Sequence, residues 1–223
     1  MKTPLRMSPF LSLALVVLLG GVYLLPELSA RIGERRATIE GRLLHRELGK
    51  IVPGDRAEQL MSRAPYHRGL SIPRETGAPF YASGELVIYF KSDEPGREKV
   101  DEISGNRFPP GWFFHVFYVN GSSVLECYQR NGRDLSEFER NAILGLNRGD
   151  STWKAVEEED QKTTFFGYDF ELESGRVRAK VGRNTLLVFQ TSLDEAIYHR
   201  RGAQAAFERR DAEARTPASI TGF

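Results

Sequence analysis

Three side chains are placed where a proton could be moved: His115, Glu126 and His67. Asn120-Gly121 joins WFFHVFYV to SSVLECYQ, and Asn-Gly between apolar alternating runs is the signature of a two-residue type I′ turn. Two-residue register pairs Phe117 with Val124, His115 with Glu126 and Phe113 with Tyr128. An imidazole facing a carboxylate across a strand pair is an acid–base couple. The same two residues also make a satisfied structural pair inside a sheet, which is the more common fate of a strand histidine. His67 falls in a loop, where an exposed and idle ring is the default reading. Cys127, the single cysteine, cannot form an intramolecular disulfide, and its place within a strand suits a small hydrophobe rather than an activated thiolate.

Other chemistry finds no support in spacing. His45, His67, His115 and His199 show no metal-ligand pattern, so no metal site is expected. The acidic run Glu157–Asp160 reads as a solvated turn, and Arg148-Gly149-Asp150 reads as a helix C-terminus. A phosphate loop, a dinucleotide fingerprint and a nucleophile elbow are all missing, so no cofactor is expected and the chain leans away from being an enzyme. A formal net charge of +1 argues against a dedicated nucleic-acid binder.

The elements that must carry these residues begin with an apolar segment. Phe10–Leu25 (FLSLALVVLLGGVYLL) is uncharged, preceded by Lys2 and Arg6 and ended by Pro26. It is about 16 residues, roughly 24 Å as a helix, between a signal-peptide core and a comfortable spanning helix. Residues 1–30 therefore read as a signal anchor or a signal peptide. Leu28-Ser29-Ala30 offers a cleavage site that would release a secreted form, but Pro26-Glu27 would then fall in the cleavage region, which favours the uncleaved anchor. The basic, acid-free N-tail favours a domain outside the cytoplasm, in the periplasm. Arg31, Arg35 and Arg36 on the other flank count toward the opposite orientation, a domain held at the inner membrane face.

Residues 31–53 form a charged juxtamembrane helix with a thin apolar stripe, helical over Arg31–Gly49. An α+β domain over 54–215 follows, and 216–223 is a frayed tail. Asp55 and Glu58 form a capping box for a helix whose Ala57, Leu60, Met61 and Ala64 share one face. Tyr66–Gly84 and Ser92–Gly111 are long loops, the natural places for a loop-built site. Glu85–Lys91 is a strand, and the apolar hairpin after it is central and covered on both sides. Ser136 and Glu139 cap a helix over Leu135–Leu146 with an apolar face of Phe138, Ala142, Ile143 and Leu146, closed by Gly149.

A second hairpin turns at Ser174-Gly175. Its register sets Glu173, Glu171 and Asp169 against Arg176, Arg178 and Lys180 on one face, and Leu172, Phe170 and Tyr168 against Val177, Ala179 and Val181 on the other. A one-residue slip breaks both patterns, so the register is well specified and the charged face reads as solvated. Thr185–Thr191 is the next strand. Ser192 and Glu195 then cap a charged C-terminal helix packed through Leu193, Ala196, Ile197 and Phe207. Strands grouped as antiparallel meanders, with helices packed on them, define the α+β class. The order reads as two helix-plus-meander halves, 54–131 and 132–215.

The stretch LGKIVPGDRAEQLMSRAP, followed by ELVIYFK and the hairpin, resembles the SmpA/BamE-like envelope domain over about residues 45–130. Gly54, Leu60, Met61 and Pro65 stand where that family's helix pair and following proline want them. The family's lipidated cysteine is absent. The resemblance implies an envelope scaffold working through protein contacts. The expected function is thus a membrane-anchored extracytoplasmic domain held through residues 10–25, with a protein partner. An exported enzyme or carbohydrate-binding module with a loop-built site is the alternative, and a cytoplasmic tethered domain a third.

Overall fold

A computed structural model describes residues 31–43, 50–52, 54–93 and 110–215. Residues 1–30, the 216–223 tail and most of the Ser92–Gly111 connection lie outside the described residues, as does the side chain of Asp55 with its expected cap. Among the described residues no helix is long and apolar enough to cross a membrane.

The fold is α+β. The elements run α1 (Arg36–Leu43), β1 (Lys50–Ile51), α2 (Gly54–Met61), α3 (His67–Leu70), β2 (Glu85–Ser92), β3 (Gly111–Val119), β4 (Ser122–Asn131), α4 (Glu137–Asn147), β5 (Trp153–Ala155), β6 (Phe170–Leu172), β7 (Val177–Val181), β8 (Thr185–Gln190) and α5 (Thr191–Arg215). All eight strands join one antiparallel sheet in the order β1-β2-β3-β4-β8-β7-β6-β5. Two four-stranded meanders therefore run inward from opposite edges, and their last strands pair at the centre.

Both faces of the sheet are covered. On one, α1 and α4 place Ile39, Leu43, Ile143 and Leu144 over Phe114, Val116, Tyr128 and Val188. On the other, Ala64, Tyr66, Leu70 and Ile72, the Phe165–Tyr168 segment and Ile197 of α5 cover Phe117, Leu125, Cys127 and Phe189. α2 closes the outer end of that second face, where Ala57 and Leu60 pack on Phe90 and Phe113. The apolar face expected for α2 is thus the one that packs. Burial of side chains of this size contributes about 1.5–3 kcal/mol each, so the doubly covered β3–β4 centre dominates the stability.

The Asn120-Gly121 turn has φ of 51° and 76°, as a type I′ turn requires. Val119 pairs with Ser122 and Tyr118 with Ser123. The expected register then fails, because a bulge at Val124 shifts the pairing and sets Phe117 against Leu125. From there His115 faces Cys127, Val116 faces Glu126 and Phe114 faces Tyr128. A bulge gives one strand an extra residue, which reverses the facing of everything beyond it. With apolar residues on both faces of β3, the sequence pattern could not exclude this shift. The Phe114 and Tyr128 rings, 4.7 Å apart, are one contact it creates.

The second hairpin keeps its expected register, with Phe170 facing Ala179 and Glu171 facing Arg178. Its charged face is solvated at Glu173 and Arg176 and partly at Asp169 and Lys180, but its centre is covered, with Arg178 only 1% exposed beneath the start of α5. α4 carries the expected Ser136–Glu139 capping box and ends at Gly149 with φ of 57°. Phe138, expected in its packed face, is 53% exposed, and Glu139, Ile143, Leu144 and Asn147 point inward instead. α5 starts at Thr191, so Ser192 lies within its first turn rather than capping it. Phe207 is 70% exposed, not packed. Tyr66–Gly84, read as a loop, contains α3, a 3₁₀ turn over Phe80–Ser83 and the buried Tyr66, Leu70 and Ile72. Among the described residues of 31–53 only α1 is helical. Arg31–Arg35 instead runs along the hairpin tip, where Gly33 N–H donates to Ser123 O (2.8 Å), Ser123 N–H to Glu34 O (2.9 Å) and Arg36 N–H to Gly121 O (3.0 Å).

Candidate functional site

His115 and Glu126 are both fully buried, but on opposite faces of the sheet. They do not form the acid–base couple that unbulged register predicts, and each has partners of its own.

On the face covered by α3 and α5, His115 Nδ1 lies 2.6 Å from the Tyr66 hydroxyl. The Tyr66 and Phe113 rings pack on the imidazole edge to face. Nε2 has no hydrogen-bond partner among the described residues. Either the Tyr66 O–H donates to Nδ1 and Nε2 carries the unmatched proton, or Nδ1–H donates to the Tyr66 oxygen and the Tyr66 O–H is left unmatched, so one buried donor goes without an acceptor in both tautomers. Burial pushes the His115 pKa down to about 3. Cys127 is its cross-strand neighbour, and burial pushes that thiol up to about 12. A nucleophilic cysteine needs the reverse, a thiolate beside an imidazolium. This pair is neutral, enclosed and structural.

On the α1/α4 face, the Tyr128 hydroxyl donates to Glu126 Oε2 (2.9 Å), and Asn147 Nδ2 donates to Tyr128 Oη (3.2 Å) and to Ile143 O (3.0 Å). Glu126 Oε1 and Asn147 Oδ1 have no partner among the described residues. Burial pushes the Glu126 carboxyl up to about 8, against the lowering effect of the Tyr128 hydrogen bond and of the nearby Ser123 hydroxyl. Glu126 therefore carries its proton at neutral pH. Above it, Arg42 Nη1 donates to Glu34 Oε1 (3.0 Å). Burial alone would raise the Glu34 pKa, but the Arg42 guanidinium and the Arg31 N–H outweigh it and hold the carboxylate low. Ser123 Oγ donates to Arg31 O (3.0 Å) and accepts from Gly33 N–H (3.1 Å). This polar cluster thus fastens the entering chain and α1 onto the centre of the sheet.

His67 opens α3, half-buried, with its ring 6.0 Å from that of Tyr81. It joins neither cluster.

A third cluster was not legible as a site. Arg178 Nε donates to Glu171 (3.0 Å), and its Nη1 donates to Asp194 Oδ2 (3.2 Å) and Thr163 O (2.8 Å). Its guanidinium lies 4.4 Å over the Tyr168 ring. Asp194 Oδ1 accepts from the N–H groups of Phe165 (2.9 Å) and Phe166 (3.0 Å). The Arg178–Glu171 half was visible in the hairpin register. Asp194 announces itself only as an acid in the first turn of α5. The cluster locks α5 and the Phe165–Tyr168 segment to β7, which makes it structural.

The chain matches no known protein family, no curated protein and no solved structure in comparison with them.

Proposed function

We propose that this chain is a single-pass membrane protein whose α+β domain stands outside the cytoplasm and acts by binding a protein or envelope partner. One observation carries the reading. His115, Cys127 and Glu126, three groups of the sheet with catalytic potential, are enclosed under covering elements and held in their uncharged form. Interior polar groups of this kind specify a rigid fold, and leave recognition to the outer surface.

The apolar run Phe10–Leu25 supports anchoring. The chain between Leu25 and Arg31 reaches at most roughly 20 Å when extended, and Arg31–Arg36 is then bound to the hairpin tip. An anchor would therefore hold that end of the sheet close to the bilayer. The resemblance of residues 45–130 to SmpA/BamE-like envelope domains points to the same scaffold role.

The test is protease accessibility of a C-terminally tagged chain in spheroplasts, with the band before protease read on the same gel. Digestion from outside with a full-length starting band is the expected result. Protection that is lost only on lysis would overturn it and assign the domain to the cytoplasm. A shortened starting band would replace the anchor with a cleaved signal near Ala30.

A further inference from the structure

The covering elements leave a groove of about 580 Å³ between the Ile72–Phe80 loop and α5, lined by Arg74, Phe80, Ala196, His199, Arg200 and Ala203 among others. The loop wall is fixed. Arg74 N–H donates to Ala78 O (2.7 Å), Gly77 N–H to Arg74 O (2.9 Å) and Phe80 N–H to Ile72 O (3.2 Å), while Pro73 and Pro79 form a bridge. Gly77, at φ 81°, supplies the left-handed turn. Arg200 Nε donates to Pro73 O (2.6 Å), which ties the loop to the helix and orients the guanidinium.

Among the described residues, two cations in this groove have no counter-ion. Arg74 makes no side-chain hydrogen bond or ion pair among the described residues, and its Nε is shielded from solvent without a partner. Among the described residues, the Arg200 side chain makes only the bond to Pro73 O. A guanidinium that lines a groove without an acceptor still has N–H donors to offer an anion that enters it. The lining also holds Glu75, whose exposed carboxylate opposes an anion from the rim.

We propose that this groove is a binding site for a phosphate-bearing anion, clamped by Arg74 and Arg200. One guanidinium fork satisfies the two oxygens of a carboxylate. Two forks on separate elements suit the three oxygens and double charge of a phosphate monoester. The apolar side chains of Phe80, Ala196 and Ala203 line the rest of the groove and suit an organic substituent on the phosphate. Phosphate monoesters come as free metabolites and as lipid headgroups, and both present this group.

The experiment is isothermal titration of the full chain in nonionic detergent with inorganic phosphate, glycerol phosphate and a short-chain, water-soluble phosphatidic acid. Saturable binding is expected for at least one of them, weakened about tenfold in Arg74→Gln. The Arg74 side chain makes no hydrogen bond or ion pair among the described residues, and its backbone bonds survive the substitution, so this variant keeps its melting temperature. Arg200→Lys retains charge without the fork and should weaken binding as well, and Glu75→Gln should strengthen it a few-fold. Equal affinity for glycerol phosphate and phosphatidic acid assigns a soluble ligand, and clear preference for the latter assigns a lipid headgroup. Absence of binding to all three, or binding unchanged in Arg74→Gln, overturns the proposal.

Discussion

Glu126 and His115 set opposite slopes on the pH dependence of stability. Glu126 has its pKa raised from 4.5 to about 8 by burial. Its contribution is complete below the unfolded value and is lost as pH climbs through the folded one. His115 has its pKa lowered from 6.5 to about 3 by burial. Its contribution is complete above the unfolded value and is lost as pH falls toward the folded one. The paired carboxylates Glu34 and Glu139, both with lowered pKa, add to the loss in acid. Stability should therefore peak between the unfolded values of 4.5 and 6.5, and the decline from there toward pH 8 belongs to Glu126. Each pKa unit is worth about 1.4 kcal/mol, so keeping Glu126 protonated at neutral pH costs roughly 3 kcal/mol relative to acid conditions. That is a large share of the roughly 5–15 kcal/mol typical of a domain. Glu126→Gln removes the linkage while keeping a neutral side chain of the same shape. Urea unfolding of the full chain in detergent, followed by Trp112 and Trp153 fluorescence, should show the variant gaining on the wild type by roughly 3 kcal/mol between about pH 4 and about pH 7. His115→Asn should flatten the acid limb and leave the alkaline one. A wild-type midpoint that holds level or rises from about pH 6.5 to 8, or an unchanged slope in Glu126→Gln, would refute a buried, protonated glutamic acid.

Two further substitutions probe the framework around these groups. Asp194→Ala should cost about 3–5 kcal/mol in chemical denaturation, because it leaves the buried Arg178 short of a counter-ion and strips the acceptor from two N–H groups; a loss below about 1 kcal/mol would mean that Glu171 suffices. Gly84→Ala places a Cβ 2.0 Å from the Tyr118 carbonyl oxygen, a backbone atom that cannot turn aside, so β2 must move off β3. Thermal unfolding should show a large fall in midpoint, and a midpoint within a few degrees of wild type would show that the strand end yields easily.

Much of the architecture was legible because local chemistry and tertiary packing agree. Asn120-Gly121 adopts the turn its residue types favour, and Ser136 and Glu139 close the box their spacing suggests. The Glu171–Arg178 pairing keeps its register because a slip would set charge against apolar side chains. The site failed for the converse reason. WFFHVFYV is apolar on both faces, so inserting Val124 as a bulge exposes nothing and no pattern forbids it. That single residue separates His115 from Glu126. Tyr66, which meets His115 across 49 residues of chain, and Asp194, which meets Arg178, depend on how distant segments fold back over the sheet. A charged hairpin face looks solvated until something covers it.

The order of strands explains why these polar groups gather at the centre. In each half a helix lies on the α1/α4 face, a short strand forms the outer edge, a connection crosses the other face, and three strands step inward. This is the topology of a two-fold axis through the sheet between β4 and β8, where Glu126 faces Val188 and Cys127 faces Leu187. Two of the first half's departures from the second lie close to Glu126. The β3–β4 hairpin carries the bulge, and α1 is preceded by the Arg31–Arg35 segment laid on that hairpin's tip. The two departures belong together. The bulge turns Glu126 and Tyr128 toward α1 and α4, and Ser123, which holds Arg31 and Gly33, lies near enough to Glu126 to lower its pKa. Protonated Glu126 is therefore continuous, through one serine, with the point where the chain enters the domain. Loss of that proton should loosen the entry segment before the distant β5–β6 edge, and amide exchange at Gly33 against Val156 as pH rises toward 8 reads that order directly. Equal loosening at the two sites would show that Glu126 supports the sheet as a whole rather than the entry of the chain.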